Sequence, residues 1–354
     1  MKQRLSLLAF LTVLLFAPSL GAGEEGWPKS IAISTASPGG TYYVYGHALA
    51  DILTGALGIE VSAEATQGST RNIILLETGR AMLGMITMGI GWEAWNGTGE
   101  WTKGQRFRAM RAILPMYDSP FTIAVPKRLG LKSLSELAGK RLGVGPRAGT
   151  SGTYFPRIFE ALGIPVTFVY GSLEEMASQV IGGQPDGVAL ATGVPVPALL
   201  GIEAKEPLEF ILFTPEQLGT VMGLMLELSA STVPRGTYPS LTEDYQTVGH
   251  FNFVVAHKDL PGDLVYRAVK AVYDNHERLV RAHPAGRETV PANVTRDAFL
   301  PASSRCGAVL PRDRRCPARR NRSGRLSGRP VRLTPRLAMI ACSSTGDGVR
   351  SIAA

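Results

Sequence analysis

Cysteine is nearly missing from this chain. Its 354 residues hold three, Cys306, Cys316 and Cys342, and all lie beyond residue 300. The first 300 residues therefore use neither disulfides nor thiolate metal sites. Histidine is scarce as well, with five in the chain and none at metal-ligating spacing. No H-E-x-x-H, P-loop or paired-carboxylate signature is present. The G-x-G at Gly143 and Gly145 lacks the rest of the dinucleotide fingerprint, and no acidic residue ends a following strand, so nucleotide binding is excluded. Ser151 is not in a G-x-S-x-G context and makes a poor nucleophile. These absences leave no expected cofactor, no metal and no catalytic residue.

Long apolar runs are also missing. Leu5 to Phe16 is apolar but too short to span a bilayer. It follows Lys2 and Arg4 and precedes small residues, Ser19 and Gly21. This pattern predicts a signal peptide over residues 1–21 and export to the periplasm. Basic charge is missing from the body too. The net charge of +8 comes from 37 basic and 29 acidic residues, but 12 of the bases and 2 of the acids lie beyond residue 300. The first 300 residues thus carry 25 bases against 27 acids, which speaks against nucleic acid as a partner.

Composition changes abruptly at Pro301. One reading of residues 301–354 is a basic disordered tail. A second is a frameshift: codons for "ASSRCGAVLPRDRRCPA", read one base later, can give LHPGAVRYYREIGVALP, an amphipathic helix preceded by a turn. Either way, the tail has too few large apolar residues to offset its ordering entropy.

The body alternates strand-like and helix-like segments. "IAIS", Ile59–Ala65, "AMLGMITM", "MRAILPM", "FTIAV", "RLGVG", "PVTFVY", "DGVAL", "EFILF" and "HFNFVVA" read as strands. Helical spacing runs from Thr41, from Ser69 to Thr78, through "TYFPRIFEALG" with Thr153 as N-cap, and from Pro261 through Leu279. Ser133 with Glu136, and Ser172 with Glu175, have capping-box spacing. The alternation predicts an α/β protein with mostly parallel sheets. The number of strands favours two lobes, and "LPMYDSPFTIAV" and "TVGHFNFVVA" are the expected crossings between them.

Three strand-to-helix junctions are rich in glycine and hydroxyls. In "SPGGTYYVYG", glycine lets the backbone approach a ligand, and the helix start leaves N–H groups unpaired. Such a start attracts an anion; the alternative is a plain turn with tyrosines in the core. "GPRAGTSGT" repeats the arrangement, so two helix starts, one per lobe, could pinch one anionic ligand. In "ATQGSTRN", Ser69 has the alternative role of a simple helix cap. His276 and His283 read as surface or packing residues. Trp92, Trp95 and Trp101 read as packing rather than ligand stacking.

From about Ile31 to Pro301 the chain resembles the TAXI-type solute receptors of tripartite ATP-independent periplasmic (TRAP) transporters. The markers are "GGTYY", "ATQGSTRNIILLETG", "KSLSELAGKRLGVGPRAGTSGT", "ATGVPVPAL" and "GTYPSL…TVGHFNFVVAHKDLPGDLVYRAVKAVYDN". The shifted-frame string is similar to the C-terminal segment of that family. The resemblance implies a two-lobed type II periplasmic binding protein fold with a ligand cleft between the lobes. It implies a receptor, not an enzyme, that closes on a small carboxylate, glutamate-like or a dicarboxylate, and passes it to TRAP membrane permease subunits driven by an ion gradient. Carried onto this chain, the expected ligand residues are Gly40, Thr41, Tyr42, Ser69, Asn72, Tyr117, Thr150, Ser151, Thr153 and Thr192. Arg147, unusual in its loop, is expected to grip a carboxylate. Around Thr87, "GMITMGIGWEAW" departs from the family pattern, and contacts there are left open. The expected organisation is lobe 1 from residues 24–119 plus 246–300 and lobe 2 from 120–245, in a monomer. An oxyanion receptor of the ABC type, or an enzyme on the same fold, are the alternatives.

Overall fold

The structure, a computed structural model, describes residues 26–296 and 299–301. The expected signal peptide and the segment from residue 302 onward lie outside the described residues.

Strand and helix alternate from Ser30 onward. β1 (Ser30–Ser34), α1 (Thr41–Leu57), β2 (Glu60–Glu64), α2 (Ser69–Glu77), β3 (Leu83–Thr87) and α3 (Met88–Asn96) come first. Then follow β4 (Met110–Pro126), β5 (Arg141–Gly143), α4 (Thr150–Ala161), β6 (Thr167–Val169), α5 (Leu173–Ile181) and β7 (Gly187–Ala191). The remainder is α6 (Pro197–Glu203), β8 (Leu208–Phe210), α7 (Pro215–Leu224), β9 (Ser229–Val233), β10 (Tyr245–His257), α8 (Gly262–Asp274) and α9 (His276–Ala282).

The strands form one sheet in the order β2-β1-β3-β10-β4-β7-β5-β6, with β8 on β4 and β9 on β10. The pairs β1–β2, β1–β3, β5–β6 and β5–β7 are parallel. Every pair involving β4 or β10 is antiparallel. The sheet is therefore mixed, which corrects the expectation of mostly parallel pairing. Period-2 and apolar-run signals mark a strand without giving its partner's direction.

"MRAILPM" and "FTIAV" belong to one strand, β4, and it changes partners partway along. Residues 110–120 pair with β10, whereas residues 121–126 pair with β7 and β8. β10 does likewise, pairing residues 245–249 with β9 and residues 252–256 with β3. Two groups of strands, one around β1–β3 and one around β5–β7, are thus joined by two continuous strands. Tyr45, Leu49, Ile33 and Val272 pack in the core of the first group. Met176, Val180, Leu199 and Tyr238 pack in that of the second. Phe121, Phe155, Ile86 and Phe253 belong to a cluster that reaches across both.

Local details depart from expectation where a polar side chain has a better use than capping. α4 starts at Thr150 with Gly149 as N-cap, so Thr153 lies inside the helix, as does Pro156. Glu136 accepts from the amides of Lys132 (2.6 Å) and Ser133 (2.9 Å) ahead of a 3-10 turn, and no α-helix forms there. Ser172 and Glu175 do form a capping box at the start of α5. The helix expected to run from Pro261 through Leu279 is two, α8 and α9, separated at Asn275.

Candidate functional site

Three helices begin on glycine and aim at one place. Gly40, Gly68 and Gly149 are the N-caps of α1, α2 and α4, and none of these starts has a side-chain cap. Two of the glycine-rich turns need glycine for separate reasons. Gly68 has φ of 105°, in the region closed to side chains, and a Cβ there would lie 3.1 Å from Gly149 Cα. Gly39 has φ of 82°, and its Cβ would sit 2.7 Å from the Glu174 amide nitrogen. Bare helix starts expose amide N–H groups and the positive end of each helix dipole.

These starts border a cavity of about 50 Å³ that is partly open to solvent. Its polar wall includes Thr41, Tyr42, Gln67, Ser69, Thr87, Ser119, Thr150, Ser151 and Thr192. Its apolar wall is Ala36, Val144, Pro146, Leu173 and Ala191. Among the described residues, no Asp, Glu, Lys, Arg or His lines it.

Three of the lining serines accept a hydrogen bond from behind. Ser69 Oγ accepts from the Thr87 amide at 3.1 Å, Ser119 Oγ from Asn252 Nδ2 at 2.8 Å, and Ser151 Oγ from the Ala191 amide at 2.8 Å. A hydroxyl that accepts in this way can still donate its hydrogen; for Ser69 the Thr150 hydroxyl is in reach at 3.3 Å. Asn252 of β10 also takes the Tyr42 hydroxyl on Oδ1 at 2.5 Å. Burial pushes the Tyr42 phenol well above its ordinary range, so it stays neutral.

The two strand groups meet across this cavity. Thr41 Oγ1 donates to Gly193 O at 2.5 Å, and Thr150 Oγ1 lies 3.0 Å from Thr87 Oγ1 and 3.3 Å from Ser69 Oγ. Backbone bonds add to this, from Thr70 N to Ala148 O (3.2 Å) and from Ala198 N to Gly39 O (3.1 Å). Farther along α3 and α4, Arg157 forms an ion pair with the buried Glu93. Glu93 also accepts from Trp101 Nε1 at 2.8 Å.

Of the residues expected at a ligand site, Gly40, Thr41, Tyr42, Ser69, Thr150, Ser151 and Thr192 line the cavity. Four do not. Asn72 is buried and spends its amide on Thr35 O, Met85 O and the Thr66 hydroxyl, all at 2.7 Å. It ties the start of α2 to the end of β1 and to β3. Thr153 donates back to Gly149 O at 3.0 Å, an intrahelical bond. Tyr117 is wholly buried among Tyr42 and Tyr45. Arg147 is exposed and stacks over Tyr170, with 3.7 Å between its guanidinium carbon and the ring centroid. It turns out of the cavity because the aromatic face offers a cation partner without desolvation. Thr87, whose contacts were left open, lines the cavity; Ser119, Gln67 and Leu173 also line it and were missed. Ser119 sits in a segment read only as a crossing, and Leu173 follows a capping box read only as a helix start.

The fold is that of solved periplasmic binding proteins, which have two lobes. MatC from Rhodopseudomonas palustris with bound malate matches with TM-score 0.55 and 14% identity over 76% of this chain and 93% of that one. A periplasmic transporter matches with TM-score 0.51 and 16% identity over 72% of this chain and 85% of that one. The periplasmic binding protein BugD matches with TM-score 0.50 and 16% identity over 77% and 95%. At such identities these likenesses speak for fold. The sequence profile of the NMT1-like family covers residues 33–304, from inside β1 to just past the last described residue, and the chain belongs to that family.

Proposed function

We propose that the protein is an exported solute receptor that closes over a small carboxylate and delivers it to an ion-gradient-driven TRAP permease. The observation that carries this reading is the convergence of three helix starts without side-chain caps, and of serine and threonine hydroxyls, on one cavity that no charged side chain lines among the described residues. A carboxylate there would be met by fixed N–H and O–H donors rather than by a counter-ion. The cavity is walled from both strand groups, so ligand contacts would join them. We take the lobes as residues 24–119 plus 246–300 and residues 120–245, the receptor as a periplasmic monomer, and the TAXI-type motifs as the ground for the TRAP partner.

An enzyme is disfavoured because, among the described residues, no acid, base or nucleophile with an activating partner lines the cavity. An ABC-type oxyanion receptor shares the donor chemistry but gains nothing from the apolar wall. Native mass spectrometry of the purified protein tests the reading. A co-purifying small organic acid that survives incubation unchanged supports it; turnover of the acid, or a retained inorganic oxyanion in its place, refutes it. Gene neighbours encoding ion-coupled membrane subunits would support the TRAP partner; a neighbouring ATPase would refute it.

A further inference from the structure

We infer that Asn252 fixes opposite hydrogen-bonding senses on two neighbouring hydroxyls of the cavity, Ser119 as donor and Tyr42 as acceptor, and that the ligand carries a hydroxyl or amino donor next to its carboxylate. This rests on the receptor reading above and narrows its ligand class. Asn252 is wholly buried. It sits on β10 where the pairing with β4 shifts register, between Phe251 and Phe253. It works through the groups it bonds, so its role is positioning.

The Asn252 amide has one workable orientation. Its Nδ2 lies 2.6 Å from Tyr117 O and 2.8 Å from Ser119 Oγ, and its Oδ1 lies 2.5 Å from the Tyr42 hydroxyl. A backbone carbonyl can only accept, so the amide nitrogen must face Tyr117. A flipped amide would set oxygen against oxygen there. Nδ2 therefore spends its second hydrogen on Ser119, and Oδ1 takes the hydrogen of Tyr42.

These commitments pass to the cavity, which Ser119 and Tyr42 both line. Ser119 Oγ accepts from Asn252, and among the described residues nothing takes its own hydrogen, which is left for a ligand acceptor. Tyr42 has given its hydrogen to Asn252, and burial keeps the phenol from ionising, so its oxygen can only accept. The phenol end lies between two lining serines. Ser119 shares the Asn252 amide with it, and the Ser69 hydroxyl lies near enough to act on it. Ser69 can turn instead to Thr150 at 3.3 Å, which frees the Tyr42 lone pair for a ligand. Hydroxyls held by the two ends of one amide are neighbours, so one small ligand can meet both. A carboxylate oxygen answers Ser119 and has no hydrogen for Tyr42. A hydroxyl or amine beside that carboxylate supplies it.

Calorimetry of the full chain with succinate, malate and aspartate tests the inference, because the three differ only in a hydrogen, a hydroxyl or an amine on one carbon. Wild type is expected to bind malate or aspartate about tenfold or more tightly than succinate, since a site built around a ligand donor rejects the analogue lacking it. Whichever of the two is preferred identifies the donor. Tyr42→Phe is expected to abolish the preference and leave succinate affinity little changed. Asn252→Leu keeps both hydroxyls but frees them to turn, so it is expected to narrow the preference. A merely structural loss would weaken all three acids alike and leave their ratio intact. If Asn252→Leu does not fold, Tyr42→Phe carries the test. Equal affinity for the three acids in wild type, or a preference that survives Tyr42→Phe, overturns the inference while leaving a carboxylate receptor. An unchanged preference in folded Asn252→Leu overturns the positioning role. Failure of all three acids on folded wild type also overturns the inference, and the mass-spectrometry experiment decides separately whether the receptor reading falls with it.

Discussion

Replacing His250 by phenylalanine is expected to flatten the acid limb of the stability curve. His250 lies on β10, opposite Ser119 of β4, directly behind the cavity. Its ring packs against Tyr154 of α4 at 4.6 Å and Phe121 of β4 at 5.5 Å between centroids, with Gly89 of α3 against its edge. Neither ring nitrogen makes a hydrogen bond of normal geometry, although the Glu227 backbone lies near enough to interact. The charged or titratable groups around this packing are Tyr154, Glu227, Glu93 and Arg157. Tyr154 donates to Glu227 at 3.0 Å, and Arg157 pairs with Glu93. Burial pushes the imidazole down to about 3, offset in part by the Glu227 backbone. An unfolded histidine titrates at about 6.5. Between those values the unfolded chain holds one proton more than the folded one, so stability falls as pH falls below about 6.5. At about 1.4 kcal/mol per pH unit, the loss from pH 7 to pH 5 is about 2 kcal/mol. Phenylalanine keeps a ring in the pocket and removes the titration. Urea unfolding of both proteins at pH 7 and pH 5 is the assay. His283, also pushed down by burial, acts in the same direction. Asp118 and Glu288, pushed up by burial, act in the opposite one. All three are common to both proteins and cancel in the comparison. The variant is expected to lose about 2 kcal/mol less than wild type over this range. Equal losses would show that His250 does not stay neutral in the folded protein.

Ser151→Ala is expected to weaken carboxylate binding roughly tenfold, the loss of one donor to a charged acceptor, and to leave the Ala191 amide unpaired; unchanged affinity by calorimetry would remove Ser151 from the site. Gly68→Ala forces a side chain into a left-handed backbone against Gly149, so it is expected to weaken binding while small-angle scattering shows a larger radius of gyration; an unaltered radius with full affinity would refute the close approach. Arg147→Lys, which keeps the charge and loses the planar stacking face, is expected to leave ligand affinity unchanged; a large loss would restore the guanidinium grip expected from sequence.

Junctions were legible and partners were not. "SPGGTYYVYG" and "GPRAGTSGT" announce bare helix starts because glycine and hydroxyl residues follow a strand, a purely local pattern. Five of the expected ligand residues, Gly40, Thr41, Tyr42, Thr150 and Ser151, lie in these two stretches and line the cavity; Ser69 comes from a third junction and Thr192 from the family resemblance alone. Asn72 looked equally polar and equally close to a junction, yet its amide is consumed by two backbone carbonyls and a hydroxyl. Which acceptor a side chain finds depends on what folds beside it. Ser119 shows the converse. Its role depends on Asn252, far along the chain, whose amide donates to its oxygen. The α3 helix escaped notice because "MGIGWEAWN" holds two glycines, poor helix formers in isolation. Gly89 is retained because His250 and Tyr154 occupy the place of its side chain, and Gly91 lies against Ile86 and Phe299.

The pairing of β3 with β10 sets a schedule for synthesis. Thr87 of β3 lies opposite Asn252, and Leu114 of β4 lies opposite Val254. The partner of Thr87 is thus made 165 residues after it. At ribosomal rates of about 5–20 residues per second, that is a delay of roughly 8 to 30 seconds. Throughout it, the edges of β3 and β4 that β10 will occupy cannot be satisfied by their native neighbour. The first strand group therefore cannot complete its sheet until most of the chain exists. A chain so ordered cannot reach its native sheet before β10 has been made. The same strands that join the two halves of the finished sheet also postpone its completion.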